Sequence, residues 1–123
     1  MITILIVDDS AFMRSLIKKA VAGLDVTVVG EAEDGKIAVE KYIELMPDVV
    51  TLDLAMLEYD GIEALKKIMQ HNPEAKVIVI SSTTDQESVV AEVMDLGAYT
   101  IINKPHIKDD LINAINEIAS DNI

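Results

Sequence analysis

The stretch DVVTLDLAMLEYDG, residues 48–61, contains an apolar run that ends in an acid. Residues 49–52 are apolar or β-branched at successive positions, which is typical of a strand covered on both faces. Asp53 follows directly, although aspartate is depleted in strands and is seldom fully buried without a partner. The tip of a core strand therefore presents a carboxylate that folding alone does not explain, and its partners must lie elsewhere in the chain.

Four other segments share this continuous apolar character. Because both faces of such strands must be covered, they predict a parallel sheet with helices on either side. Helical stretches with an apolar stripe lie between them. The five predicted strands are TILIV (3–7), VTVVG (26–30), DVVTL (48–52), KVIVIS (76–81) and YTIIN (99–103).

Several helices carry recognisable end signals. The first begins at Ser10, and its apolar stripe includes Phe12 and Met13. An acid or hydroxyl followed three residues later by glutamate is typical of a capping box. Such pairs predict the starts of the third and fourth helices: Asp60 with Glu63, and Thr84 with Glu87.

Five strand–helix units in succession predict an α/β fold. Right-handed crossovers restrict the topology. An eight-fold barrel needs roughly 250 residues, and this chain has 123. We therefore predict one domain, residues 1–123, built on an open, doubly wound, five-stranded parallel sheet.

Composition excludes several classes of function. The net charge of −12 argues against direct nucleic-acid binding, which depends on basic side chains that neutralise phosphates. The absence of cysteine excludes disulfides and cysteine-based metal sites. No signal peptide is recognisable, and no apolar run approaches the roughly 20 residues of a membrane helix. We expect a cytoplasmic protein without membrane insertion.

Ligands of open parallel α/β sheets bind beyond the carboxyl ends of the strands. Each predicted strand is followed by residues at the same edge, and four of the five strand ends, all but the second, would bring three acids, a hydroxyl and an amine together there. Each alone has an ordinary structural explanation as a cap, a turn residue or a solvated charge. The residues are Asp8 and Asp9, then Gly30 and Glu31, Asp53, Ser81 and Ser82, and Lys104 with Pro105.

The chemistry of these groups favours phosphoryl transfer. Asp8, Asp9 and Asp53 would repel one another in a small cleft, and Mg²⁺ is the hard cation that removes this penalty. Lys104 supplies a compact positive charge for a phosphoryl oxygen, and Ser82 can donate a hydrogen bond to another. A carboxylate beside a metal and a lysine is a plausible nucleophile for phosphorus, so Asp53 is the candidate for an aspartyl phosphate.

Competing motifs are absent. The chain has neither G-x-G-x-x-G after the first strand nor G-x-x-x-x-G-K-[ST], which excludes dinucleotide and P-loop sites. His71 and His106 have no partners at metal-ligand spacing, and we expect both to be exposed loop residues.

The sequence resembles the receiver domains of two-component response regulators, and the single-domain CheY-like chemotaxis members most of all. The resemblance implies a flavodoxin-like (βα)5 fold with strand order 2-1-3-4-5 and a single receiver domain without an output domain. The segments that carry it are ILIVDDSAFMR, PDVVTLDLAMLEYDGIEAL, VIVISS and GAYTIINKP.

The resemblance also implies roles for individual residues. Asp53 is the phosphoacceptor. Asp9 and Asp53 bind Mg²⁺ directly, the backbone carbonyl of Ala55 adds a ligand, and Asp8 acts mainly through water. Lys104 contacts the phosphoryl group.

Further positions concern switching. Ser82 aligns with the switch hydroxyl, and the bond before Pro105 is expected to be cis. Two positions depart from the family pattern: Leu57 replaces the usual proline, and Ile101 occupies the position of the aromatic switch residue. The first departure predicts altered loop mobility, and the second argues against signalling through an aromatic rotamer.

The resemblance implies a signalling switch that takes its phosphoryl group from a histidine kinase or phosphotransfer protein. The downstream target would bind the face of the fourth helix, fifth strand and fifth helix. Such a protein is not an enzyme beyond its own phosphorylation and slow dephosphorylation. A phosphorelay intermediate outside chemotaxis, a pseudo-receiver binding module and a Mg²⁺-dependent phosphohydrolase remain as alternatives.

Overall fold

A computed structural model of the chain describes residues 1–54, 58–81, 87–104 and 107–121. Five strands alternate with five helices along these residues. They are β1 (Ile2–Val7), α1 (Ala11–Val21), β2 (Val26–Ala32), α2 (Gly35–Leu45), β3 (Val49–Asp53), α3 (Glu58–His71), β4 (Val77–Ser81), α4 (Glu87–Asp95), β5 (Thr100–Asn103) and α5 (Ile107–Asp121).

All strand pairs are parallel and their order is β2-β1-β3-β4-β5, which confirms the predicted fold class and topology. Val7 of β1 lies opposite Leu52 of β3, so the residues after them, Asp8 and Asp53, reach the same edge. Ser81 of β4 lies opposite Asn103 of β5, which directs Lys104 to that edge as well. The register alone therefore brings three strand ends together.

Separate hydrophobic cores cover the two faces of the sheet. Alternate residues of each strand point to opposite faces, so Ile4 and Ile6 belong to one core and Leu5 and Val7 to the other. Residues of α1 and α5 complete the first core, and residues of α2, α3 and α4 complete the second. Because the central strands are held from both faces, their carboxyl ends form a rigid base. Within the described residues, every helix is too short or too polar to cross a membrane.

The first turn of α1 corrects one sequence prediction. Ser10 caps the helix, since its side chain accepts a hydrogen bond from the Met13 backbone N at 3.3 Å. Ile17 is fully buried, whereas Phe12 is 70% exposed, so its assignment to the core stripe is wrong. Five residues separate Phe12 from Ile17, which rotates them about 140° apart around the helix. Phe12 therefore lies on a solvent face.

Three other expectations about element ends are also wrong. Gly30 and Glu31 lie inside β2 rather than after it, because a bulge lets β1–β2 pairing continue to Ala32. Asp60 lies within α3, which already begins at Glu58, and so it cannot cap that helix. His71 is exposed as expected, but it is the last residue of α3 rather than a loop residue. Thr84 and His106 lie outside the described residues.

The connection after α4 depends on a glycine. Gly97 has a φ of +111°, a conformation that residues with a side chain rarely adopt. A Cβ at this position would also lie 2.9 Å from Cε of Met69. Backbone and packing therefore both require glycine before β5.

We expect Gly97→Ala to lower the free energy of unfolding by about 1–3 kcal/mol, because alanine is strained at this φ. The matched control is Gly23→Ala, where an added Cβ meets nothing within 4 Å. The control should change stability by less than about 0.5 kcal/mol. Urea unfolding of both variants checks this, and equal stabilities would contradict it.

Candidate functional site at the carboxyl edge of the sheet

Three carboxylates meet at the carboxyl edge of β1 and β3. Asp8, Asp9 and Asp53 each place one oxygen within 4.8 Å of the others. Asp8 is 1% exposed and Asp53 is 2% exposed, while Asp9 lies at the surface. The structure thus brings together the three acids that the sequence analysis singled out, and two of them are buried.

Backbone hydrogen bonds hold Asp8 in this arrangement. Its backbone N donates to the Ala32 carbonyl at 3.0 Å, which continues the ladder beyond β1. Its Oδ1 accepts from the Ser10 backbone N at 2.8 Å, a local turn that leads into α1. Among the described residues, Oδ2 of Asp8 has no hydrogen-bond partner. A buried oxygen in this state is costly unless something else occupies its lone pairs.

Lys104 supplies positive charge at the same edge. It follows β5 directly, and its Nζ lies 3.3 Å from Oδ2 of Asp53. The lysine side chain is 30% exposed, so it spans from the buried carboxylate to solvent. This ion pair compensates part of the cost of burying Asp53.

The pKa of the Asp8 carboxyl is shifted, mainly because the group is buried. Burial raises the pKa of its carboxyl to about 7, although the hydrogen bond from Ser10 opposes the shift. The neighbouring Asp53 raises this pKa further, and Lys104 lowers it. In the absence of a cation, Asp8 is therefore partly protonated at neutral pH.

The donor set suits a hard divalent cation. It consists of carboxylate oxygens only, it includes the unpartnered Oδ2 of Asp8, and its negative charges are close enough to repel. Mg²⁺ and Ca²⁺ prefer such oxygen ligands, and a bound cation would relieve the repulsion. The residues present therefore fit a divalent metal.

Several predicted site residues cannot be placed in the same way. Ala55, Ser82 and Pro105 lie outside the described residues, and so does Leu57. Ser81 is buried, and its hydroxyl donates to Oδ1 of Asn103 at 3.2 Å, which links β4 to β5. Ile101 is half-buried and packs against the core on the face of α2, α3 and α4.

Sequence reasoning missed one residue near the site. Arg14 of α1 donates a hydrogen bond from Nη1 to the backbone carbonyl of Asp8 at 2.6 Å. The signal in the sequence was weak, since a basic residue near the start of a helix is more often exposed. Its second partner, Glu31, is 17 positions away and becomes a neighbour only in the fold.

Comparison with known proteins identifies the family. The model of the response regulator receiver domain matches residues 4–116. The chain belongs to this family, and it is therefore a phosphorylatable receiver of the two-component type.

Individual relatives match over nearly their full length. The chemotaxis protein CheY of Thermotoga maritima is 44% identical over 116 residues, which are 94% of this chain and 96% of that protein. The response regulator domain of Thermotoga maritima CheB superposes with a TM-score of 0.86 at 42% identity, covering 96% of both chains. A chain of the CheX–CheY–BeF3–Mg²⁺ complex from Borrelia burgdorferi gives a TM-score of 0.86 at 33% identity, covering 95% of this chain and 88% of that chain.

The raised pKa of Asp8 predicts a pH-dependent stability. Between pH 3.8, the ordinary pKa, and about 7, the folded state binds more protons at Asp8 than the unfolded state. Stability without divalent cations should therefore fall as pH rises through this window. Asp8→Asn removes the buried charge and should stabilise the cation-free protein by about 1–3 kcal/mol at pH 8.

Urea unfolding in a chelating buffer at pH 5 and pH 8 measures this effect. The gain from Asp8→Asn should be much smaller at pH 5, where Asp8 is already protonated. Asp25→Asn is the control, because the side chain of Asp25 is 87% exposed. An equal gain at both pH values would contradict the assignment of the effect to Asp8.

Proposed function

We propose that this protein accepts a phosphoryl group on Asp53 from a histidine kinase or phosphotransfer protein. The single observation that supports this most strongly is the position of Asp53, buried between two acids and Lys104 at the end of a rigid strand. The phosphorylated protein then signals by binding another protein.

Mg²⁺ is the proposed cofactor. Asp9 and Asp53 would bind it directly, Asp8 would act mainly through water, and the backbone carbonyl of Ala55 would add a further ligand. The cluster of carboxylate oxygens and the unpartnered Oδ2 of Asp8 support this assignment. When bound, the cation neutralises charge on the phosphoryl oxygens.

The protein side chains position the phosphoryl group and neutralise its charge during transfer. An oxygen of Asp53 forms the new bond to phosphorus, the bond from phosphorus to the donor histidine nitrogen breaks, and its electron pair leaves with the imidazole. Lys104 contacts a phosphoryl oxygen, and the Ser82 hydroxyl donates to another. Phosphoryl transfer depends largely on such positioning and charge neutralisation, so few dedicated groups suffice. The protein is thus not an enzyme beyond its own phosphorylation and slow dephosphorylation.

The phosphodonor has a suitable docking surface beside the site. Phe12 is 70% exposed and Leu16 is 40% exposed, both on α1. Next to them lies a groove of about 350 Å³ between α1 and α5, and Lys104 forms part of its wall. Its lysines offer local positive charge on a chain with a net charge of −12. The groove is lined by Leu16, Lys19, Ala20, Lys104, Ile107 and Lys108.

The output surface is proposed to be the face of α4, β5 and α5. Phosphorylation adds nearly two negative charges at the edge from which this face begins. Tyr99, the residue before β5, donates a hydrogen bond to Oε1 of Glu117 on α5 at 2.8 Å, and Nζ of Lys76, the residue before β4, lies 5.5 Å from the centre of the Tyr99 ring. Ile101 is aliphatic, so we propose that the signal passes without an aromatic rotamer change and involves the hydroxyl of Ser82.

We place this switch in chemotaxis or motility signalling in the cytoplasm. The near end-to-end match to a chemotaxis protein CheY supports this role. We propose that residues 1–123 form one receiver domain, which acts by contact with a target protein. A cis bond before Pro105 is part of the same proposal for the site.

Intact-protein mass spectrometry tests the phosphoacceptor. Incubation with Mg²⁺ and acetyl phosphate should add one phosphoryl group to the wild-type protein, because Asp53 is the nucleophile. Asp53→Asn should show no addition, whereas the exposed control Asp25→Asn should behave as the wild type. A wild-type protein that remains unmodified would favour a pseudo-receiver, and catalytic release of phosphate from many different substrates would favour a hydrolase.

Lys104 provides a second test. We expect Lys104→Ala to slow phosphorylation by acetyl phosphate roughly 10²-fold, because one group that stabilises the developing charge is lost. Lys66→Ala, on the exposed face of α3, is the control and should react at the wild-type rate. Initial rates at saturating Mg²⁺ measure the difference, and equal rates would remove Lys104 from the transfer step.

A further inference from the structure

Arg14 joins the β1–α1 loop, residues 8–10, to β2 through two hydrogen bonds. Its Nη1 donates to the backbone carbonyl of Asp8 at 2.6 Å, and its Nε donates to Oε1 of Glu31 at 2.9 Å. The arginine side chain is only 17% exposed. A planar guanidinium holds two acceptors in a fixed geometry, which a lysine ammonium cannot reproduce. Arg14 therefore ties the start of α1, the end of β1 and the end of β2 together.

Glu31 is itself held in place. Its other carboxylate oxygen accepts from Nζ of Lys18 at 2.9 Å, and its backbone carbonyl accepts from Nζ of Lys41 on α2. The Lys18 hydrogen bond lowers the pKa of Glu31, partial burial opposes this effect, and Arg14 adds to the lowering. Glu31 thus stays ionised and offers Arg14 a charge-assisted acceptor.

Hydrogen bonds hold both the backbone and the side chain of Asp8. Its N donates to Ala32, its Oδ1 accepts from Ser10, and its carbonyl accepts from Arg14. Only Oδ2 lacks a hydrogen-bond partner among the described residues, and Asp8 is one of the three clustered acids. The side chain of Arg14 connects the backbone of Asp8 to Glu31 on the neighbouring strand β2.

We propose that Arg14, oriented by Glu31, is a positioning residue that holds the β1–α1 loop so that Asp8 and Asp9 can bind a divalent cation. This inference rests on the proposed function, since it assigns Arg14 to the same metal site. Mg²⁺ demands near-ideal octahedral geometry, so a small shift of the loop weakens binding. Residues that orient metal ligands without touching the metal typically change affinity 10- to 100-fold when mutated.

The competing interpretation is an ion pair that only stabilises the fold. Exposed ion pairs contribute little, and the Lys18–Glu31 pair is of this kind, with side chains 44% and 35% exposed. Lys18 belongs to the same network but makes no contact with Asp8. Lys18→Gln is therefore the matched control for Arg14→Ala.

Calorimetric titration of the full chain with Mg²⁺ provides the first test. Arg14→Ala should raise the Kd for Mg²⁺ about tenfold, and Lys18→Gln should change it less than about twofold. Arg14→Lys should lie between the wild type and Arg14→Ala, because lysine can keep only one of the two bonds. A wild-type Kd for folded Arg14→Ala, with a loss of thermal stability alone, would overturn the inference.

A double-mutant cycle tests whether Glu31 acts through Arg14. Glu31→Ala should raise the Kd about threefold, and the double variant Arg14→Ala/Glu31→Ala should bind no more weakly than Arg14→Ala, since coupled residues are not additive. Fully additive losses would show that Glu31 does not orient Arg14. If Arg14→Ala does not fold, the Glu31→Ala and Arg14→Lys variants decide the question by the same Kd criterion.

A measurement without metal separates this inference from the proposed function. In the cation-free protein, the NMR order parameters of the Asp9 and Ser10 amides should fall in Arg14→Ala and stay unchanged in Lys18→Gln. Unchanged order in both variants would overturn the positioning role even if Mg²⁺ binds to the wild type. A wild type that binds no Mg²⁺ would instead refute the proposed function, while the amide data would still decide whether Arg14 orders the loop.

Discussion

The burial of two carboxylates side by side is the constraint on which the rest of this structure depends. Asp8 and Asp53 are both nearly inaccessible to solvent, and desolvated acids at this distance repel each other. Lys104 compensates part of this cost through its contact with Asp53. Burial raises the pKa of Asp8 to about 7, and the neighbouring Asp53 raises it further.

The fold makes this arrangement possible because the strands that carry the acids are central in the sheet. β1 and β3 are neighbours and each is flanked by another strand, while helices pack on both faces. The register between Val7 and Leu52 places the acids that follow them at one edge. A less rigid base would let the three carboxylates move apart into solvent, and the cluster would be lost.

The sequence was most informative where the local pattern of residues agrees with the overall fold. The apolar runs predicted the strands, and the acids at their tips predicted the cluster that the structure brings together. It was least informative at element ends. Asp60 fits a capping pattern but lies inside α3, and Phe12 fits a loose apolar stripe but points to solvent. A short pattern specifies neither the first residue of a helix nor which of its apolar residues is buried.

The sequence by itself determined the fold class, the family resemblance and which side chains are chemically suited to phosphoryl transfer, because these follow from residue type and order along the chain. Only the tertiary structure decided how deeply Asp8 and Asp53 are buried, that Lys104 reaches Asp53, and that Arg14 meets both Asp8 and Glu31. The physical reason is that burial and contact distance depend on strand register and helix packing. These are properties of the whole chain, and no local pattern contains them.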